Sequence, residues 1–368
     1  MRALRYHGPG LPLRVEEIGV PEPGPGEVLL EVHAAAILPN MSAILAEPAP
    51  FPVRRPPAPY TVGCGGVTGV VREIGPGTVG FAPGVRVFAT EILACGSCRF
   101  CRSGCRNYCD GAAEMGLFAY GQAGEALLAR YPDGALAEYA RMPADQLARL
   151  PAGIDLERSA RLGYWAIPFH GMKGRGVEPG AVVAVAGATG HMGIGAVAAA
   201  LARGVAHVFA IARDPGRLAE LTALAPGRVT ALSVQDGPVA PRVRAATVGR
   251  GVDVLVDTQG FGDPATTMDA AGAVAKHGQI VLVGGVQGAL PLRYDWFAWS
   301  GMTVSGSLNY LTSDVEELAE LLADGLLAAD HIRVKRYALE HVEQAMRDIP
   351  HLPSAFWAPV VRPRAGEV

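Results

Sequence analysis

The stretch AVVAVAGATGHMGIGAVAAAL, residues 181–201, reads as an apolar β-type run, a glycine turn and a helix of small residues, in that order. Gly187, Gly190 and Gly193 recur every third position. Gly190 lets the backbone approach a diphosphate, and Gly193 lets the helix lie close on the strand. The helix N-terminus adds unpaired N–H groups and the positive end of the peptide dipole. The candidate dinucleotide loop therefore runs through Gly187, Ala188, Thr189, Gly190, His191, Met192 and Gly193. The first glycine of the usual G-x-G-x-x-G falls on Ala188, so the motif is a variant, and its weight comes from the strand before and the helix after. His191 is read as a loop residue whose backbone matters more than its ring.

The same alternation continues beyond this unit. HVFAIA (207–212), VDVLVDT (252–258) and QIVLVGG (279–285) are continuous apolar runs separated by helical lengths of chain. That pattern predicts an α/β region with a parallel sheet covered on both faces. The second of these strands ends in Ala212 and Arg213, where a carboxylate would grip the ribose hydroxyls of NAD. A guanidinium there instead suits a 2′-phosphate. NADP(H) is the expected cofactor, with Arg213 as its main phosphate contact and Arg217 as a second. Asp214 competes for the ribose role, one or two positions late.

Before about residue 160 the chain is different. GEVLLEVHAAAI (26–37), TGVVREIGPG (68–77), GVRVFATE (84–91) and GALAEYARMP (134–143) are short β-type runs between Gly and Pro, as in a β-rich, partly open barrel. The proline-dense PAPFPVRRPPAPY (48–60) is expected to run extended over the surface. Near the C-terminus, Ser313 and Glu316 have capping-box spacing ahead of DVEELAELLADG, with a stop at Gly325. LEHVEQAMRDI (339–349) forms a last amphipathic segment.

CGSCRFCRSGCRNYC (95–109) places Cys95, Cys98, Cys101 and Cys109 at C-x2-C-x2-C-x7-C spacing. Four thiolates close a tetrahedral zinc and leave no position for water or substrate, so this metal is structural. Such a site contributes roughly 10–16 kcal/mol of apparent binding energy to the segment it folds. Cys105 is left as a spare thiol. A net charge of −3 without long runs argues against nucleic acid or a polybasic membrane contact. Neither a leader-like apolar region in MRALRYHGPG nor a membrane-length run is present, and thiols kept for metal imply a reducing, cytoplasmic compartment.

Together these segments resemble the medium-chain dehydrogenase/reductase superfamily, over essentially the whole chain. The resemblance also rests on MRALRYHGPGLPLRVEEIGVPEPGPGEVLLEV (1–32) and VREIGPGTVGFAPGVRV (71–87). It implies a GroES-like domain from 1–160 and 311–368, with the zinc lobe at 91–112, and a doubly wound Rossmann domain at 161–310. It also implies a homodimer or tetramer pairing through MTVSGSL (302–308). Family members that oxidise alcohols hold a second zinc. In this sequence the three ligand positions of that zinc fall on Leu38, Cys64 and Tyr164, the proton-relay histidine on Ala43, and the nicotinamide-side threonine on Pro168.

One thiol cannot hold a three-ligand zinc. The expectation is therefore an NADPH-dependent, zinc-independent reductase of an activated C=C or C=N bond: an enone, quinone or iminium. Tyr164 is the candidate proton or hydrogen-bond donor, against a plain pocket wall. Asn40 stands where a substrate-contacting Ser or Thr is usual, against a turn role beside Pro39. Cys64 is a pocket thiol or a small filler, and His170 a proton relay or a structural partner. Trp165, Trp296 and Trp299 are candidates for an aromatic wall. The alternatives are a metal-independent carbonyl reductase or alcohol dehydrogenase, and a redox-silent NADP(H)-binding protein or non-redox catalyst.

Overall fold

The computed structural model describes residues 1–46, 54–260 and 264–364. Six strands form one wholly parallel sheet, in the spatial order Val229–Ser233, His207–Ala212, Val182–Ala186, Val252–Asp257, Val274–Leu282, Thr303–Gly306. Numbered along the chain, this is the 3-2-1-4-5-6 order of a doubly wound dinucleotide fold. The first strand has neighbours on both sides reached by opposite crossovers, so the loop leaving Ala186 sits at the topological switch point. The expected runs became strands, and Val229–Ser233, whose sequence VTALS carries little apolar signal, is an addition.

The helix His191–Ala202 follows the glycine turn, with Gly190 as its N-cap. Its glycines and all its alanines but Ala202 are buried, and they permit close contacts on two sides. A Cβ on Gly193 would lie 2.1 Å from the Gly187 carbonyl oxygen, and one on Gly195 would lie 2.5 Å from the Trp165 ring. Gly187 itself holds φ +73°, which favours glycine.

The other lobe is built on the long strand Glu27–Ala36, which pairs with Val67–Ile74, Tyr139–Pro143 and Trp357–Val361. This seven-stranded sheet, with the three-stranded sheet of Arg14–Glu17, Arg2–Tyr6 and Tyr60–Thr61, makes the β-rich half. The chain does not end on the amphipathic segment. The helix Val342–Asp348 is followed by Trp357–Val361, which returns to the seven-stranded sheet in parallel with Arg333–Tyr337.

Three local expectations need correction. The helix Thr312–Ala323 is capped by Asp314, whose carboxylate accepts from the Leu311 amide at 2.7 Å; Ser313 and Glu316 make no capping box. The tryptophans build no common wall: Trp165 is buried against the nucleotide helix, Trp296 packs edge-on against Phe297, and Trp299 is exposed. Of the proline-dense segment 48–60, residues 48–53 lie outside the described residues, and the remainder leads into the strand at Tyr60. No helix among the described residues is long and apolar enough to cross a membrane.

Candidate functional site

The helical turn Arg99–Arg102, entered from Cys98, brings Cys98 and Cys101 onto one side, and the turns at Gly96 and Gly104 fold Cys95 and Cys109 toward them. The four sulfurs lie within 4.8 Å of one another. Backbone amides are aimed at them: Cys95 N at Cys109 Sγ (3.2 Å), Cys98 N at Cys95 Sγ (3.3 Å) and Gly111 N at Cys109 Sγ (3.3 Å). N–H donors on sulfur stabilise thiolate charge, so the donor set fits a closed four-thiolate zinc. Cys105 is exposed and outside the cluster.

This lobe docks on the rest of the protein through the buried Asn107, whose Nδ2 donates to the Leu308 carbonyl at 2.8 Å and lies 3.2 Å from His170 Nε2. The other ring nitrogen of His170 is 2.8 Å from Asp314 Oδ2, and Lys173 Nζ is 2.7 Å from Asp314 Oδ1. Asp314 is buried, and its carboxyl is held below the usual range by these partners against the opposing effect of burial. His170 is thus a hydrogen-bond partner of a buried carboxylate between two helices, whose charge partner is Lys173. It does not line the candidate cavity, and a proton relay there is not supported by its position.

The cavity itself has a volume of about 210 Å³ and is lined by residues from both halves of the chain. Leu38, Cys64 and Tyr164, the three positions the resemblance aligned with metal ligands, meet in it, and Asn40 joins them. The buried Oδ1 of Asn40 has no hydrogen-bond partner, and its side chain does not cap the short helix Met41–Leu45. The Cys64 thiol is pushed well up by burial and by the neighbouring Glu91 carboxyl. Burial also raises Tyr164, with Arg161 opposing, so its phenol keeps its proton at neutral pH. Tyr164 belongs to the helix Leu162–Met172, in which Pro168 removes the N–H that would bond the Tyr164 carbonyl. Among the described residues, the four cysteines of the lobe are the only group of three or more His, Cys, Asp or Glu side chains close enough to share a metal ion.

Four cavity residues escaped the sequence reading. Glu91 accepts from Cys64 N (2.5 Å) and Ala135 N (2.7 Å), and burial nonetheless pushes it up to about 8. Glu114 accepts from the Tyr120 hydroxyl, whose oxygen accepts from Asn309 Nδ2 at 3.1 Å. Burial raises the Glu114 carboxyl as well. Both acids sit in irregular sequence beside the cysteine lobe, where no spacing marks them. Only Glu91, closing an apolar run as the first charge after GVRVFAT, gave any signal.

On the nucleotide side, the loop Gly187–Gly193 lies at the carboxyl end of its strand. Arg213 follows the second strand, and its exposed side chain has no ion-pair partner among the described residues. Its carbonyl is fixed by Ser233 Oγ at 2.9 Å. Asp214 is committed to capping the helix Pro215–Thr222, accepting from Gly216 N (2.8 Å) and Arg217 N (3.1 Å). Arg217 is engaged too: its guanidinium donates to the Leu352 carbonyl at 3.0 Å and stands 3.7 Å from Asp214. Of the two expected phosphate contacts, Arg213 alone has a guanidinium without a partner among the described residues. The His191 ring turns inward, against Arg161.

A β-rich lobe joined to a doubly wound sheet, with a cavity lined from both halves of the chain, is the architecture of a nucleotide-dependent oxidoreductase. Residues 24–152 match the alcohol dehydrogenase GroES-like domain, and residues 192–324 match the zinc-binding dehydrogenase domain. The chain belongs to the medium-chain dehydrogenase/reductase superfamily. It is similar to a sorbitol dehydrogenase of Bacillus subtilis, at 26% identity covering 91% of this chain and 89% of the relative. It is also similar to an NDMA-dependent alcohol dehydrogenase of Amycolatopsis methanolica, at 28% identity covering 95% of each. Among solved structures, alcohol dehydrogenase TADH from Thermus sp. ATN1 superposes with a TM-score of 0.82 at 26% identity, over 98% of this chain and 99% of that one.

Proposed function

We propose that the protein is an NADPH-dependent reductase without a catalytic zinc, acting on a polarised C=C or C=N bond of a small molecule such as an enone, quinone or iminium. The observation that carries this reading is the makeup of one cavity. Leu38, Cys64 and Tyr164 stand together there and offer one thiol, held neutral by burial, where a catalytic zinc would need three donors. Without a Lewis acid an unactivated ketone loses several kcal/mol of oxyanion stabilisation. A conjugated or iminium acceptor carries its own electron sink and needs less help.

Bound NADPH would supply the hydride. Tyr164 contributes a protonated hydroxyl with no protein partner among the described residues, suited to donate to the substrate heteroatom as charge develops. The unpartnered Oδ1 of Asn40 is an acceptor and suits a donor on the substrate, such as an iminium N–H. Glu114, with one oxygen held by Tyr120 and its proton affinity raised by burial, is a local proton store. Arg213, without a side-chain partner among the described residues at the end of the second strand, supports NADPH over NADH, because Asp214 is spent on a helix cap. Cysteines kept for metal rather than for disulfides fit a reducing cytoplasm, and the open side of the edge strand Thr303–Gly306 fits a dimer.

The names of the relatives, a sorbitol and an alcohol dehydrogenase, favour one second reading, alcohol–carbonyl interconversion, which this cavity would carry out without metal. NADPH oxidation measured over a panel of enones, quinones, iminium salts and simple ketones separates the two. Turnover confined to the activated acceptors supports the proposal, and turnover on simple ketones alone overturns it. Silence on every acceptor despite tight NADPH binding points to a redox-silent binder.

A further inference from the structure

Arg161 stands at the head of the helix Leu162–Met172 and is 3% exposed. Among the described residues no carboxylate pairs with it. A guanidinium taken out of water without a counter-charge is costly, so its surroundings are informative. Two neutral groups hold it: the Nδ1 of His191, and the carbonyl of Ala355 at 3.1 Å. His191 is the first residue of the nucleotide helix, and Ala355 lies just before the strand Trp357–Val361. Arg161 therefore reaches from the wall of the substrate cavity, one turn from Tyr164, to the N-terminus that follows the glycine loop. Burial and the charges of Arg161 and Arg217 keep the His191 imidazole neutral, which leaves Nδ1 free to accept. Burial lowers Arg161 itself to about 10, so it stays charged at neutral pH.

We infer that Arg161 is a built-in counter-ion for the diphosphate of the bound dinucleotide, aimed at the glycine loop by His191. The inference rests on the dinucleotide reading of the site, but not on the choice of NADPH over NADH, since both carry the diphosphate. The ligand supplies the negative charge that the protein withholds from Arg161. The loop N–H groups and this cation then face the same phosphates from two directions. Such an arrangement couples cofactor binding to the junction between the cavity wall, the nucleotide helix and the C-terminal return.

The test measures dissociation constants of NADPH, NADH and 2′-AMP by calorimetry, with unfolding temperatures of the free and NADPH-loaded protein. The proteins are the wild type, Arg161→Gln, Arg161→Lys and Arg213→Ala. Losing a charge-assisted contact to phosphate predicts that R161Q weakens NADPH and NADH alike, by roughly tenfold or more. R161K should retain much of the affinity. The 2′-AMP constant should not move in R161Q, but should weaken in R213A. The free R161Q protein should unfold no earlier than the wild type, and its NADPH-induced rise in unfolding temperature should shrink. Unchanged NADPH and NADH affinity in R161Q, or an early-unfolding free protein with normal affinity, would overturn the inference and assign Arg161 a packing role. Wild type that binds neither dinucleotide would overturn both this inference and the functional reading. Wild type that prefers NADH would sink the cofactor choice and leave the role of Arg161 standing.

Discussion

Replacing Gly193 by alanine would place a Cβ 2.1 Å from the Gly187 carbonyl oxygen and 2.7 Å from both Cα and the carbonyl carbon of Ala188. These are backbone atoms of the loop and cannot swing aside as a side chain would. The helix must back away from the turn, and overpacking of this kind costs about 1–3 kcal/mol. Alanine recovers up to about 1 kcal/mol of helix propensity, so the net loss should be up to about 2 kcal/mol. Gly190→Ala is the instructive contrast. Its Cβ would meet only the Gly187 oxygen, at 3.2 Å, and its φ of −80° suits any residue. The fold should tolerate that change within about 0.5 kcal/mol. The added methyl nevertheless occupies the N-cap over which a diphosphate must come close. Urea unfolding together with NADPH titration separates the two effects. G193A should lose both stability and affinity, whereas G190A should keep its unfolding midpoint and lose affinity tenfold or more. A G190A protein that binds NADPH like the wild type would refute the assignment of this loop as the diphosphate seat.

Arg213→Ala should raise the NADPH dissociation constant by tenfold or more while leaving NADH within about threefold, read by fluorescence titration; equal losses would remove the 2′-phosphate role. Tyr164→Phe should lower turnover on an activated acceptor by about 10–100-fold at unchanged NADPH affinity, as expected for loss of one hydrogen bond made in the transition state. Glu91 has a folded pKa raised from 4.5 to about 8, so its contribution to stability is full below about pH 4.5, declines between about pH 4.5 and 8, and is gone above that. Urea midpoints at pH 5, 7 and 9 should therefore fall with pH, and Glu91→Gln should flatten that slope; parallel slopes in the two proteins would contradict it.

The fold was legible wherever one face of the pattern is fully buried. Val182–Ala186 and Val252–Asp257 are covered on both sides of a parallel sheet, and their continuous apolar sequence says so directly. Val229–Ser233 lies at the sheet edge, half of it shielded by a single helix, and its sequence carries too few apolar residues to mark it. The cysteine lobe was legible because metal geometry dictates ligand spacing along the chain. Glu114, Tyr120 and Asn309 meet in one hydrogen-bonded group although Asn309 is far away in sequence, and no local rule connects them. His170 shows the same limit from the other side. A histidine one helix turn or two from a pocket residue is a reasonable candidate, and only the position of Asp314 on a distant helix reveals that its ring serves packing. Asp214 and Arg217 differ from Arg213 for an equally local reason: a helix start consumed the first, and a carbonyl of the C-terminal return engaged the second.

The proposed function confines zinc to Cys95, Cys98, Cys101 and Cys109 and has the cavity of Leu38, Cys64 and Tyr164 work without a metal. Elemental analysis of the active protein, before and after dialysis against a chelator, tests it directly. The expected result is one zinc per chain, released only when the protein unfolds, with NADPH-dependent turnover unchanged by the chelator in the folded state. Two zincs per chain, with turnover lost as the second is removed from the folded protein and restored on its return, would contradict it.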